Sequence, residues 1–205
     1  MAVVLARPGQ TAELQRPDKV VFKGNFSYGK AAAFDRYGLY APGPSFGGMP
    51  LVAVTRRLDA ANPRIPANAA VPKRADWVNF IYASGCAYDE FGIDCDNMAQ
   101  VQVWPACERN LHSYEGASLA GDIHPEPVTV RGVPSAFFKD DTMLEIYSGD
   151  STIVLFARSE EQLFTLADEL LSVNAGKVGN PSVERKAALP PPAQGAMTGT
   201  LECRA

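Results

Sequence analysis

Four cysteines, two histidines and one acidic run are the groups in this 205-residue chain whose spacing could do chemistry. Cys86, Cys95, Cys107 and His112 follow the pattern C-x8-C-x11-C-x4-H. Zinc sites usually hold two thiolates close together in a C-x2-C knuckle, which is missing here. Disulfide pairing is the simpler reading. Four cysteines allow three pairings. Cys86 and Cys95 bracket the polar segment 87–94, which can close on itself, and Cys107 with Cys203 would then tie down the tail. Closing that long loop would stabilise by about 4–5 kcal/mol in the chain-entropy model. The alternative is free thiols, with Cys86 and Cys107 buried as small apolar residues.

Asp89, Glu90, Asp94, Asp96 and Asn97 gather oxygen ligands in one short stretch. Calcium takes six to eight such oxygens, but no EF-hand spacing is present, so Asp89, Asp94 and Asp96 are a calcium candidate whose alternative is a solvated acidic loop. Gly24-Asn25-Phe26-Ser27-Tyr28-Gly29-Lys30 fits G-x-x-x-x-G-K. Ala31 stands where a phosphate loop needs Ser or Thr, and Phe26 and Tyr28 crowd the loop. Gly149-Asp150-Ser151 has the look of an esterase nucleophile, yet neither His112 nor His124 follows it, so the serine lacks a downstream base. Glu145 and Glu108 near Arg109 suggest acid–base work only if folding pairs them. Trp104 and Tyr147 are expected to fill the core. No catalytic residue, cofactor or metal is assigned.

Composition limits the alternatives. Nineteen basic and 23 acidic residues leave a net charge of −4, with no basic excess for nucleic acid. An apolar share of 46% suits a globular chain. No apolar run is long enough for a spanning helix. The apolar run Met1–Ala6 lacks a basic flank and is too short for a signal peptide. Disulfides would nonetheless imply an oxidising compartment.

The elements that must position these residues read as an α+β domain: an antiparallel sheet with helices on one face. Strands are expected at 19–23, 51–55, 77–82, 99–104, 128–131, 135–139, 143–147 and 152–157, with a hairpin turn at Asp140-Asp141. Ser159 and Gln162 stand at capping-box spacing, and Leu163, Leu166, Ala167, Leu170 and Leu171 form one apolar helix face. Residues 24–50 are an aromatic-rich loop, and 59–76 an exposed connector. Phe26, Tyr28, Tyr37, Tyr40 and Phe46 are its candidate binding surface. Two blocks, 48–115 and 132–173, read as β-β-β-α repeats, with Cys107–Tyr114 as the shorter helix; the alternative is two unrelated meanders. An N-terminal extension (1–23) and a Pro/Gly-rich C-terminal extension (175–205) flank the domain (24–174). Such a tail should not order itself in isolation.

The strings Phe46–Leu51, Val78–Tyr82 with Cys86, Val101–Asn110, Arg131–Pro134 and Leu144–Gly149 resemble a group of uncharacterised bacterial proteins. The run Trp104-Pro105-Ala106-Cys107-Glu108-Arg109-Asn110 is the most specific part, and the likeness spans about residues 38–172. The resemblance implies an exported or surface-associated protein and carries no activity. The expectation is a non-catalytic accessory or structural subunit that binds partner proteins through its surface and extended tails. The alternative is a ligand- or carbohydrate-binding domain using the aromatic loop 26–46.

Overall fold

The computed structural model describes residues 24–59, 75–89, 92–110, 125–138 and 142–203. The expected strand at 19–23, most of the connector, His112, His124 and the Asp140-Asp141 turn lie outside them.

The fold is dominated by one antiparallel sheet. Its strands are β2 (Ser45–Phe46), β3 (Met49–Asp59), β4 (Ala75–Asp89), β5 (Gly92–Pro105), β6 (Glu126–Val130), β7 (Val133–Phe138), β8 (Met143–Ser148) and β9 (Ser151–Phe156). They lie in the order β2-β3-β4-β5-β9-β8-β7-β6, two meanders joined edge to edge at β5 and β9. A small pair, β1 (Tyr40–Ala41) with β10 (Leu171–Ser172), closes beside it. Helix α1 covers Tyr28–Ala32 and helix α2 covers Glu160–Asp168.

Local sequence sets these elements. The Gly47-Gly48 and Arg131-Gly132 turns have positive φ at both central residues, the two-residue hairpin geometry that matches strand twist. Ser159 caps α2 by accepting from the Gln162 amide at 3.2 Å, as its spacing predicts. The helix stops at Asp168, so Leu171 leaves the expected apolar face and joins β10. Leu170 stays fully buried beside it.

One sheet face carries Val78, Phe80, Tyr82, Val101, Val103, Ile146, Ile153 and Leu155, alternating residues from four strands. Ala31 of α1 and Leu163, Leu166 and Ala167 of α2 belong to the same cluster. The opposite face carries a second cluster of Trp104, Ala136, Phe138, Met143, Tyr147 and Val154. Two details depart from a β-β-β-α repeat. Cys107–Asn110 is turn and bend rather than helix in its described part. Matching Phe80-Ile81-Tyr82 to Glu145-Ile146-Tyr147 would set Phe80, on the first face, against Glu145, which pairs with Val154 and Ala136 on the second. A one-residue slip flips every side chain to the other face, so composition gives the wrong register here.

The C-terminal extension is not loose. Residues 173–203 run over the domain with little regular structure, burying Val183, Leu189 and Ala196. This strap closes a network with the aromatic loop: Asn174 accepts from the Leu39 amide at 2.7 Å and donates to the Phe34 and Tyr37 carbonyls.

Candidate functional site

The cysteines pair as the spacing suggests, Cys86 with Cys95 and Cys107 with Cys203. Thiolate zinc ligation by them is thereby removed. Segment 87–94, however, is no free loop. β4 and β5 stay paired out to Asp89 and Gly92, and Cys86 faces Cys95 directly across the ladder.

This hairpin outruns its neighbours. β3 pairs with β4 only as far as Tyr82, and β9 pairs with β5 only from Gln100. Ala83–Met98 therefore forms a two-stranded arm beyond the sheet, and a lone hairpin is marginal in water. The disulfide staples it. Cα atoms 3.9 Å apart mark Cys86 and Cys95 as a non-hydrogen-bonded pair, so their backbone groups point away from each other toward the arm's outer edges. On the β5 edge Arg158 donates to the Cys95 carbonyl. On the β4 edge the alternation leaves the Ser84 and Cys86 groups without a ladder partner among the described residues. Met98 is 44% exposed. Asp94 and Asp96 lie on one side of the arm, both exposed. Gly85, at φ +64, is needed there, because a Cβ would sit 2.1 Å from the Asp96 carboxylate. Among the described residues no three metal-ligating side chains converge.

Hydrophobic burial decides the fate of the aromatic loop. Tyr37, Tyr40 and Phe46 are buried and Phe26 is half-buried, leaving only Tyr28, at 37%, well exposed. Phe34 stacks edge-on against Phe26 and Tyr37, and Phe46 against Tyr82. The five-residue aromatic surface is corrected to a buried wall with one open ring. Tyr28 borders a cleft of about 300 Å³ with Phe26, Leu51 and Val54. The Gly24–Lys30 segment leads into a helix of one turn capped by Ser27, too short to follow a phosphate loop. Ser151 is buried and donates to the Gly38 carbonyl at 2.6 Å, so it braces the aromatic loop.

Ionic groups converge in two places, where Glu145, Arg109 and Glu108, singled out in the sequence, meet Asp76, Arg36, Arg56 and Arg57, which are not. Glu145 is fully buried on the second sheet face. The Arg109 Nε donates to it at 2.7 Å, and the Tyr147 hydroxyl donates at 3.1 Å. The Arg109 guanidinium lies 5.2 Å from the Trp104 ring, which stacks on Trp77 at 4.1 Å. Arg57 lies over the far side of that pair. Residues first read as separate thus form one row across the sheet, with Glu145 held as an ion pair.

The second place is Asp76 at the end of β4. Its carboxylate takes Arg56 at 2.9 Å through two nitrogens and Arg36 at 2.7 Å. The Asp76 amide donates to Glu108 at 2.8 Å, and the Tyr37 hydroxyl donates to the Asp76 carbonyl. Hydrogen bonding to Asp76 raises the Arg56 value, and burial pushes the Glu108 carboxyl up. Burial also drives the Tyr37 hydroxyl well up. Glu108 faces Asp76 rather than Glu145, so the two glutamates make no shared acid–base site. The Cys107–Cys203 staple borders the same void, of about 30 Å³, which is water-sized.

The strap has its own anchor. Arg131 donates to the carbonyls of Ala167, Leu170, Glu184 and Ala187 at 2.6–3.0 Å, and Leu189 donates back to its carbonyl. No sequence signal marks this role, since the partners lie 36–56 residues away. No family model, curated protein or solved structure matches the chain.

Proposed function

We propose that the protein is a non-catalytic accessory or structural subunit that binds partner proteins through its surface, with the stapled arm as the docking element. The observation that carries this reading is the arm itself. It projects past both neighbouring strands, exposes Met98 and an open β4 edge, and is covalently held in shape. Preorganising an exposed edge lowers the ordering cost of adding a partner strand. The C-terminal extension is bound to its own domain, so the reading moves the partner contact from that tail to the arm.

The buried charges support the same view. The Glu145 and Asp76 carboxylates accept from arginines and, for Glu145, from the Tyr147 hydroxyl, which suits fold-building ion pairs. Two disulfides are compatible with an extracellular location, and among the described residues no helix is long and apolar enough to cross a membrane. Export is part of the proposal. A ligand-binding role for the aromatic loop contracts to the cleft beside Tyr28.

Site-specific photo-crosslinking in cells of the native source tests the reading. A photoreactive residue at Met98 should give one discrete adduct with another polypeptide, while one at the exposed Glu161 of α2 should not. Equal labelling from both sites, or none from Met98, would refute arm docking.

A further inference from the structure

A cavity of about 240 Å³ lies between the aromatic loop and the strap, walled by Tyr40, Asp150, Val178, Asn180, Pro190 and Pro191. We propose that it binds a protonated alkylamine, with the ammonium on Asp150 and the methylenes against the prolines. This goes beyond partner docking by the arm and does not depend on it.

The polar side chains around the cavity other than Asp150 are committed to one another, and so is part of its backbone. Tyr40 donates to Asn180 at 2.8 Å, and Asn180 donates to Asn174 at 2.8 Å. The Gly149 amide donates to the Pro190 and Pro191 carbonyls, and the Ala193 amide to Gly149 at 2.7 Å. The exception is Asp150. One carboxylate oxygen accepts from the Gly38 amide at 3.0 Å, and the Ser151 hydroxyl, whose proton goes to the Gly38 carbonyl, lies 3.3 Å from it. Among the described residues no cation lies within ion-pair distance of it. The cavity thus offers one uncompensated negative charge, no spare cationic donor and an apolar wall. Ammonium supplies the charge-assisted donors such an acceptor lacks, and a short methylene chain matches the pyrrolidine surfaces. A neutral hydroxyl would leave the charge uncompensated.

A second feature supports a built site. Val178 lies in the wall with φ 44°, a left-handed conformation that a β-branched residue rarely adopts. The turn around it is held by the Lys177 amide on Asn174 and the Asn180 amide on Lys177. Strain of this kind persists where surroundings over-determine it and gathers at ligand clamps. Val178 itself lines the opening.

A free diamine and a lysine side chain of a partner share this chemistry. Amide NMR of the purified protein, titrated with n-butylammonium, n-butanol, 1,4-diaminobutane and Nα-acetyl-lysine amide, separates them. Shifts should concentrate on Gly149, Val178 and Gly179 with the amines and be missing with butanol. Tighter binding of the diamine assigns a free amine, and tighter binding of the lysine amide assigns a partner's side chain. Asp150→Asn keeps the acceptor for Gly38 and should weaken butylammonium at least about tenfold, the scale of one charge-assisted contact. Ala193→Leu narrows the cavity without touching Asp150 and should also weaken it. Equal response to butanol and butylammonium, unaltered affinity in both variants, or shifts spread over the surface would overturn the proposal.

Discussion

The arm at Ala83–Met98 and the strap at 173–203 are opposite solutions to holding a segment outside a sheet. The arm is regular, laddered strand to strand and stapled, and among its described side chains only Ala83 and Cys95 are buried. The strap is almost without regular structure, yet it buries Val183, Leu189 and Ala196 and gives its carbonyls to Arg131. Regularity therefore says little about which segment belongs to the folding unit. Burial and satisfied backbone groups decide it. By that measure the strap is part of the domain and the arm is what the domain presents.

Breaking the two staples separately should show the difference most strongly. Replacing Cys107 and Cys203 by serine reopens a loop spanning a sequence separation of 96 residues. Global stability should fall by about 4–5 kcal/mol in the chain-entropy model, read as a lower urea midpoint. The same change at Cys86 and Cys95, separated by 9 residues, should cost about 2–3 kcal/mol at most. Its effect should be confined to faster amide exchange within the arm, and an equal drop in global midpoint would erase the distinction.

Arg131→Met keeps the apolar stem and removes the guanidinium that four carbonyls share. About 2–3 kcal/mol should be lost, the scale of charge-assisted hydrogen bonds to a partly exposed group. Protease should then cut within 184–200 before the arm. Cleavage of the arm first would reverse the assigned roles.

The smallest effect concerns Glu108, beside Asp76 and the Cys107–Cys203 disulfide. Its folded-state value is raised, chiefly by burial, so the folded protein holds that proton more tightly than the unfolded chain. This contribution is complete below the ordinary glutamate range and is lost as pH rises through the raised folded value. Glu108→Gln should flatten that part of the stability profile, measured by urea unfolding between mildly acid and neutral pH. An identical profile in the variant would remove Glu108 from the account.

Much of the sheet is legible in the chain, because alternating runs such as Val101–Val103 and Ile153–Leu155 have one buried face. The capped helix and both disulfides are legible too, through Ser159, Gln162 and the cysteine spacing. The strap is not. Proline and glycine imply extension, but whether an extended segment docks depends on distant groups such as Arg131 and Asn174. The aromatic loop is misread for a related reason: composition cannot say whether Tyr37 and Tyr40 face solvent or meet Asp76 and Asn180. The arm is half legible. The cysteine pair marks it, while the end of β3's pairing at Tyr82, which sets it free, is a matter of register.

Hydrogen exchange of the oxidised, isolated protein tests the central contrast most directly. The account predicts that the amides of Lys186, Leu189 and Ala193, each bonded within the domain, exchange near the rate of global unfolding. Those of Ser84 and Cys86 should exchange orders of magnitude faster despite the adjacent disulfide. Strap amides exchanging as fast as an unfolded chain, or arm-edge amides as slow as the core, would contradict it.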